Sequence, residues 1–347
     1  MKKVLSVMLA TGMLFTLMAC SSGNSTAPQS QGAAQQSAEA PKEKSFVLKL
    51  SDQNAENTST NIWANKFAEL MDQKTNGTVK VEIYPNASLT AYDIEPLQSG
   101  ICDFLQYVPS SAADLDPRLG AFDAPYIYEN EAHRQATFDY ENEPLKQINE
   151  SLKDSNVVLL GSFCSGYRQI TCNFPIYSLA DIKGAKIRVV PSPLYISLFE
   201  EFGAAATPMN FTEVSTALIT NVIDGQENPI TVVVQNSLYE IQKYMMLTSH
   251  MPTNHGLWMN RNTLDKLSEN QQKACWDAAR EASLWMDDQI KTKEAENKQL
   301  LIDKGMTIID ESNGLKVDEF KTAAMKMYEI YGEKWGDMVD TIKAVKY

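Results

Sequence analysis

The chain has 347 residues and a formal net charge of -13 at pH 7, with 31 basic against 44 acidic side chains. No basic run interrupts that balance, which excludes nucleic acid as a partner and repels an anionic ligand from most of the surface. A pocket for such a ligand therefore has to be built locally from a few basic side chains.

Lys2 and Lys3 precede an apolar run over residues 4–19. That is the length of a signal-peptide core and falls short of the about 20 apolar residues a spanning helix needs. The run ends in "LMAC" (17–20), which resembles a bacterial lipobox with Cys20 as the acylated residue. This predicts a lipoprotein signal peptide over 1–19, membrane attachment through Cys20, and an extracytoplasmic domain in the periplasm or at the cell surface. An ordinary signal peptide or an uncleaved anchor is the alternative. Residues 20–45 add a polar stretch without aromatic residues or periodicity, a disordered tether that reaches roughly 25–30 Å. No later segment is apolar enough to span a membrane. The rest, from Phe46 to Tyr347, is long enough for two lobes.

"FVLKL" (46–50) alternates as a strand, and "STNIWANKFAELMDQKTNG" follows with a helical stripe ending at Gly77. "TVKVEIYP" (78–85) alternates again, so the chain opens on a strand–helix–strand unit, which predicts an α/β fold with a mainly parallel sheet. Further strands are expected at 102–108, 157–163, "QITCNF" and "AKIRVV". A short helix is expected at "SLADIKG" and a longer one over 194–204, with another over 213–221 capped by Thr212. Ser268 and Gln271 fit a capping box, and no Gly or Pro follows until Gly305. At 1.5 Å per residue that helix is about 54 Å long, more than one small lobe is wide. It either crosses both lobes or kinks between two.

The chemistry-bearing patterns are few. There is no P-loop, no dinucleotide fingerprint, no nucleophile elbow and no HExxH. His250 and His255, five apart, have no carboxylate or cysteine in register, so no metal or other cofactor is expected. Cys164 and Cys172 are near enough in sequence to pair, although isolated buried thiols are the favoured reading. Two arginines stand out. Ile187 and Val189 alternate on one face of their strand, so Arg188 points the other way near its end; Arg168, twenty residues earlier, has a similar setting. Either one alone is equally well read as the partner of a neighbouring carboxylate.

Residues 161–230 carry more. "YRQIT", "DIKGAKIRV", "GAAATPMNFTEV" and "IDGQENP" together resemble the solute-binding proteins of TRAP (tripartite ATP-independent periplasmic) transporters, DctP-like in type. "IYPNASL" (83–89), "FDAPYIYEN" (122–130) and the helix over 268–304 extend the resemblance across the folded chain. It implies a two-lobe, Venus-flytrap α/β fold of the periplasmic-binding-protein kind, with the long C-terminal helix straddling both lobes. Lobe I is expected at 46–163 plus about 254–290, and lobe II at 164–253 plus about 291–347.

The resemblance implies a binding protein, not an enzyme, that captures a small organic acid between the lobes and delivers it to TRAP membrane subunits. It places Arg188 on the arginine that grips the ligand carboxylate and Arg168 on its assistant. Asn228 falls on the neighbouring asparagine and Phe211 on an aromatic wall. Gln53 and Tyr107 fall near the ligand's far end, and Trp258 forms a further wall. Ser215, where relatives often carry tyrosine, and Pro191 imply a ligand of different size or polarity from sialic acid. A ligand-sensing lipoprotein serving a signalling receptor, or a secreted enzyme acting on an organic acid, are the alternatives.

Overall fold

The computed structural model describes residues 43–347; the predicted signal peptide and the lipidation reading at Cys20 lie outside the described residues. The strands in chain order are β1 (Phe46–Ser51), β2 (Val79–Tyr84), β3 (Phe104–Tyr107), β4 (Val157–Tyr167), β5 (Gln169–Cys172), β6 (Lys186–Val189), β7 (Ala205–Pro208), β8 (Gly225–Asn228), β9 (Tyr244–Met246), β10 (Pro252–Asn260) and β11 (Thr307–Ile309). They form two sheets, one ordered β2-β1-β3-β10-β4 and the other β11-β9-β5-β8-β6-β7.

β1 and β2 pair in parallel across the helix Ser59–Lys74, the strand–helix–strand unit the alternation predicts. That helix buries Trp63, Phe67, Leu70 and Met71, the i, i+4, i+7, i+8 stripe of a one-sided helix. The expected mainly parallel sheet is present only as a narrow majority, because both sheets are mixed: among the described residues five of the nine strand pairs are parallel. β10 runs antiparallel to β3 and β4, and β5 runs antiparallel to β8 and β9. β5 and β10 are strands by which the chain passes between the sheets, and an antiparallel partner needs no crossover helix. Only Arg168 separates β4 from β5, and its N–H donates to the Met251 carbonyl at 2.8 Å, just before β10 begins.

The long helix runs Glu269–Asp303, with the Ser268–Gln271 capping box formed in both directions. Ala274, Ala278, Ala282, Met286 and Ile290 pack into the core of the first sheet with Trp63, Phe67 and Leu257. Leu301 packs near the other end with Val214, Met245 and Met306, against the second sheet. One helix thus serves both cores. A further apolar cluster joins residues of both sheets, such as Leu105 and Ile187, to Phe320, Trp335 and Ile342 of the C-terminal helices.

Two smaller expectations change. The helix read over 213–221 is shorter, Val214–Ile219, and follows a 3-10 turn whose capping box is made by Asn210 and Glu213, not by Thr212. The last tether residues are pinned. The Glu43 carboxylate accepts from Ser268 Oγ at 2.6 Å, and the Lys44 carbonyl from Gln271 Nε2 at 2.8 Å. A carboxylate at the N-terminus of a long helix also meets the positive end of its dipole.

Candidate ligand-binding site

Cys102, Cys164, Cys172 and Cys275 are buried, free thiols, and among the described residues no group of His, Cys, Asp and Glu is arranged to hold a metal. His250 bonds Thr248 Oγ1 at 2.8 Å, and His255 bonds Ser165 Oγ at 2.9 Å. Each histidine is therefore committed separately. The site is built around the arginines.

β6 lies between β7 and β8 in the second sheet. Ile187 and Val189 enter the core, so Arg188 projects from the opposite face, in register with Thr207 and Gln226. The close approach of β5, β8 and β6 depends on Gly225. A Cβ there would sit 2.3 Å from the Thr171 carbonyl oxygen and 2.9 Å from Cys172 Cβ. β8 then presents Gln226, Glu227 and Asn228 in succession, all buried.

The two arginines are in opposite electrostatic states. Arg168 is 3 % exposed and forms a two-point ion pair with Glu227, one bond of it Nη2 to Oε1 at 2.7 Å. Its Nη2 also donates to the Glu227 carbonyl at 2.7 Å and to Asn228 Oδ1 at 3.2 Å, while Nη1 donates to Thr253 Oγ1 at 3.0 Å. Burial works against its charge, yet the adjacent Glu227 carboxylate holds the guanidinium above its ordinary value. Glu227, also buried, is in turn held below the usual carboxylate range: the penalty of burial is outweighed by Arg168 and by a bond from His250. This pair is the carboxylate partnership that either arginine could have had.

Arg188 is also 3 % exposed, but among the described residues no carboxylate pairs with it. Nε and Nη2 donate to the Met209 carbonyl at 3.0 and 2.8 Å, and the guanidinium lies 5.6 Å from the centre of the Phe211 ring. Nη1 makes no bond to the described residues. Burial pulls Arg188 down to about 10, against the attraction of Glu227 and with the repulsion of Arg168. A buried guanidinium held from behind by a carbonyl, and without a counter-ion among the described residues, can receive an anion. Its outer edge matches a carboxylate through two parallel bonds, and at neutral pH it stays charged.

Asn228 joins this cluster through Arg168, and its Nδ2 donates to Gln226 Oε1. Tyr107 reaches it from the first sheet by way of Tyr92. The two rings lie 4.4 Å apart, and the Tyr92 hydroxyl accepts from the Val108 N–H at 3.2 Å. Trp258 is fully buried, with its indole N–H donating to the Tyr107 carbonyl at 2.8 Å, and it packs in the apolar cluster against Tyr107. Gln53 bonds Ser51 Oγ at 3.2 Å and Thr90 Oγ1 at 3.4 Å, and half-buried Ser215 sits on the helix after Phe211. No bond ties either of them to the arginine cluster.

Sequence reasoning missed Glu227 and Tyr92. Glu227 was findable, since a carboxylate one residue before Asn228 on the neighbouring strand is the obvious partner for one arginine. A separate cavity of about 260 Å³ between the helix Glu131–Thr137 and the long helix contains Arg280 and Asp287. Both of these charges are already paired, with Asp139 and Arg134 respectively.

Residues 50–334 match the bacterial extracellular solute-binding proteins of family 7. The chain is 31 % identical over 259 residues to the 2,3-diketo-L-gulonate-binding periplasmic protein of Escherichia coli, covering 74 % of this chain and 77 % of that one. It is 33 % identical over 268 residues to a solute-binding protein of Roseobacter denitrificans, covering 76 % of this chain and 82 % of that one. The solved structure of that Roseobacter protein, a TRAP periplasmic solute-binding protein with bound L-galactonate, matches at a TM-score of 0.77 and 30 % identity over 87 % of this chain and all of that one. A TRAP solute-binding protein of Pseudomonas putida with bound D-glucuronate matches at a TM-score of 0.79 and 25 % identity, over 87 % of this chain and 98 % of that one. With its two mixed sheets, its shared long helix and this match over most of its length, the chain belongs to bacterial extracellular solute-binding protein family 7, as a solute-binding protein of the TRAP type.

Proposed function

We propose that this protein captures a small organic acid between lobes I and II, with Arg188 gripping the carboxylate, and passes it to TRAP membrane subunits. The observation that carries this reading is the unpaired, buried guanidinium of Arg188 beside Arg168, whose own charge Glu227 already neutralises. Arg168 acts chiefly by holding Asn228 in place, and Phe211 and Tyr107 flank the ligand. The relatives named above bind sugar acids, each with one carboxylate, which favours the same class here. Lobe I comprises 46–163 and about 254–290, and lobe II 164–253 and about 291–347. Bonds already bridge them: Gln235 Nε2 donates to Ser59 Oγ at 2.8 Å, and Tyr126 Oη to the Thr248 carbonyl at 2.8 Å. Such contacts favour a shut form that ligand binding would stabilise further. The ligand leaves unchanged, in keeping with a family of binding proteins. Among the described residues no helix is long and apolar enough to cross a membrane, and the "LMAC" run supports attachment through a lipid on Cys20.

A thermal-shift screen tests this, with L-galactonate, D-glucuronate, 2,3-diketo-L-gulonate and simpler keto and hydroxy acids beside the corresponding neutral sugars. At a hundredfold excess over Kd a ligand adds about 2.7 kcal/mol, a rise of several degrees in Tm. The expected result is a hit confined to carboxylates. A neutral sugar as the best hit, with every acid flat, overturns the reading.

A further inference from the structure

We propose that Gln226 and Thr171 are positioning residues of the ligand site: they lock the side-chain amide of Asn228 in one orientation and leave one of its N–H groups free for the ligand carboxylate. This rests on the assignment of Arg188 as the carboxylate grip.

These side chains share one face of the second sheet. Thr171 on β5 pairs with Gln226 on β8, and Gln226 pairs with Arg188 on β6, so all three point to the same side. Asn228 lies two residues beyond Gln226 on β8 and joins them there. The same row continues to Met245, which pairs with Thr171 and packs in an apolar cluster with Val214, Leu218 and Leu301. Gln226 and Thr171 are fully buried. Apolar side chains would fill such a row without the cost of desolvation, so a polar pair there calls for a use.

The hydrogen bonds supply it. Arg168 Nη2 donates to Asn228 Oδ1 at 3.2 Å, and Asn228 Nδ2 donates to Gln226 Oε1. Gln226 Nε2 donates to Thr171 Oγ1 at 2.7 Å, and Thr171 Oγ1 donates to Gln242 Oε1 at 3.3 Å. Every bond of this chain runs in one direction, and Arg168 sets it. A guanidinium only donates, so Asn228 turns its oxygen to Arg168 and its nitrogen to Gln226. Gln226 then accepts with its oxygen, which turns its nitrogen to Thr171. Flipping either amide alone would set N–H against N–H. The buried Gln242 at the end leaves its own Nε2 unpaired, so the chain is kept at a cost.

An asparagine amide has two N–H groups, and Gln226 takes one. Among the described residues the other has no acceptor. It lies on the face from which Arg188 projects, one strand away, where Arg188 Nη1 is also free. A carboxylate held by Arg188 has lone pairs left for that donor.

The test is calorimetric titration of L-galactonate, D-glucuronate and 2,3-diketo-L-gulonate into the wild-type protein, Gln226→Leu, Asn228→Ala and the double variant. Gln226→Leu is expected to weaken the best-bound acid about tenfold, one hydrogen bond's worth, and Asn228→Ala by a similar factor. Because Gln226 acts through Asn228, the double variant should lose little more than either single one. Losses that multiply in the double variant would overturn the inference, since a residue that merely supports the fold acts independently of Asn228. Thr171→Val, which keeps the shape of the side chain, covers the case in which Gln226→Leu disturbs folding. It should weaken binding in the same sense, and Thr171→Ser should restore it. A signature without ligand is the side-chain amide NMR signal of Asn228, identified by its loss in Asn228→Ala. Its two protons, one bonded and one free, should be well separated in the wild type and draw together in Gln226→Leu. An unchanged Asn228 signal in both Gln226→Leu and Thr171→Val would overturn the inference. So would full affinity in Asn228→Ala with none in Arg188→Ala, which leaves the carboxylate reading standing. Binding that survives intact in Arg188→Ala would instead overturn the carboxylate reading on which the inference rests.

Discussion

Replacing Arg188 with alanine is expected to weaken acid binding by about 100-fold or more while leaving the fold about as stable as before. A charge-assisted bond contributes roughly 1.5–3 kcal/mol, so losing a two-point contact at 1.4 kcal/mol per tenfold removes at least two decades of affinity. The stability half of the result follows from the missing counter-ion. Burial draws the Arg188 guanidinium down to about 10, which corresponds to a cost of roughly 3 kcal/mol for keeping it charged. Deleting it relieves that cost and leaves only the Met209 carbonyl without its two bonds. Arg188→Lys separates charge from shape: it keeps a cation but loses the planar fork, and should bind weakly. Calorimetry paired with urea denaturation checks both halves. A strongly destabilised Arg188→Ala protein would make Arg188 a structural residue.

Glu227→Gln is expected to do the reverse, damaging the fold more than any other single change at the site. It strands the Arg168 charge at 3 % exposure, without the carboxylate that now pairs with it at two points. Breaking a buried ion pair from one side typically costs about 3–5 kcal/mol. Arg168 also holds Asn228, so the ligand face should lose order with it. Removing both charges, in Arg168→Gln with Glu227→Gln, should recover part of the loss, because no buried charge is then left alone. Denaturant midpoints across the four-member cycle measure this coupling. Additive losses would mean that the pair is not the unit the geometry indicates.

These two substitutions also mark how far the sequence alone reaches. Strand alternation around Ile187 and Val189 was sufficient to aim Arg188 away from the core, and the Ser268–Gln271 box was sufficient to start the long helix. The parallel opening unit was legible for the same reason, since period and turn residues are local. What was not legible depends on partners far apart in the chain. Arg168 and Arg188 look alike in sequence, and only the pairing of β5 with β8 brings Glu227 to the first and leaves the second alone. Trp258 falls on a strand whose neighbours cover it completely, a burial its local sequence does not report. β5 was expected as a strand at "QITCNF" but its antiparallel direction was not, and β10 was not read as a strand, because nothing in a short apolar run reports the direction of its partner.

The central claim is that the cleft recognises a carboxylate through an arginine that has none of its own. The most direct test is calorimetric comparison of the best acid from the screen with its primary amide, which keeps size and hydroxyl groups but removes the charge. The account predicts saturable one-to-one binding of the acid and an amide at least about 100-fold weaker. An amide that binds as tightly as the acid would contradict it.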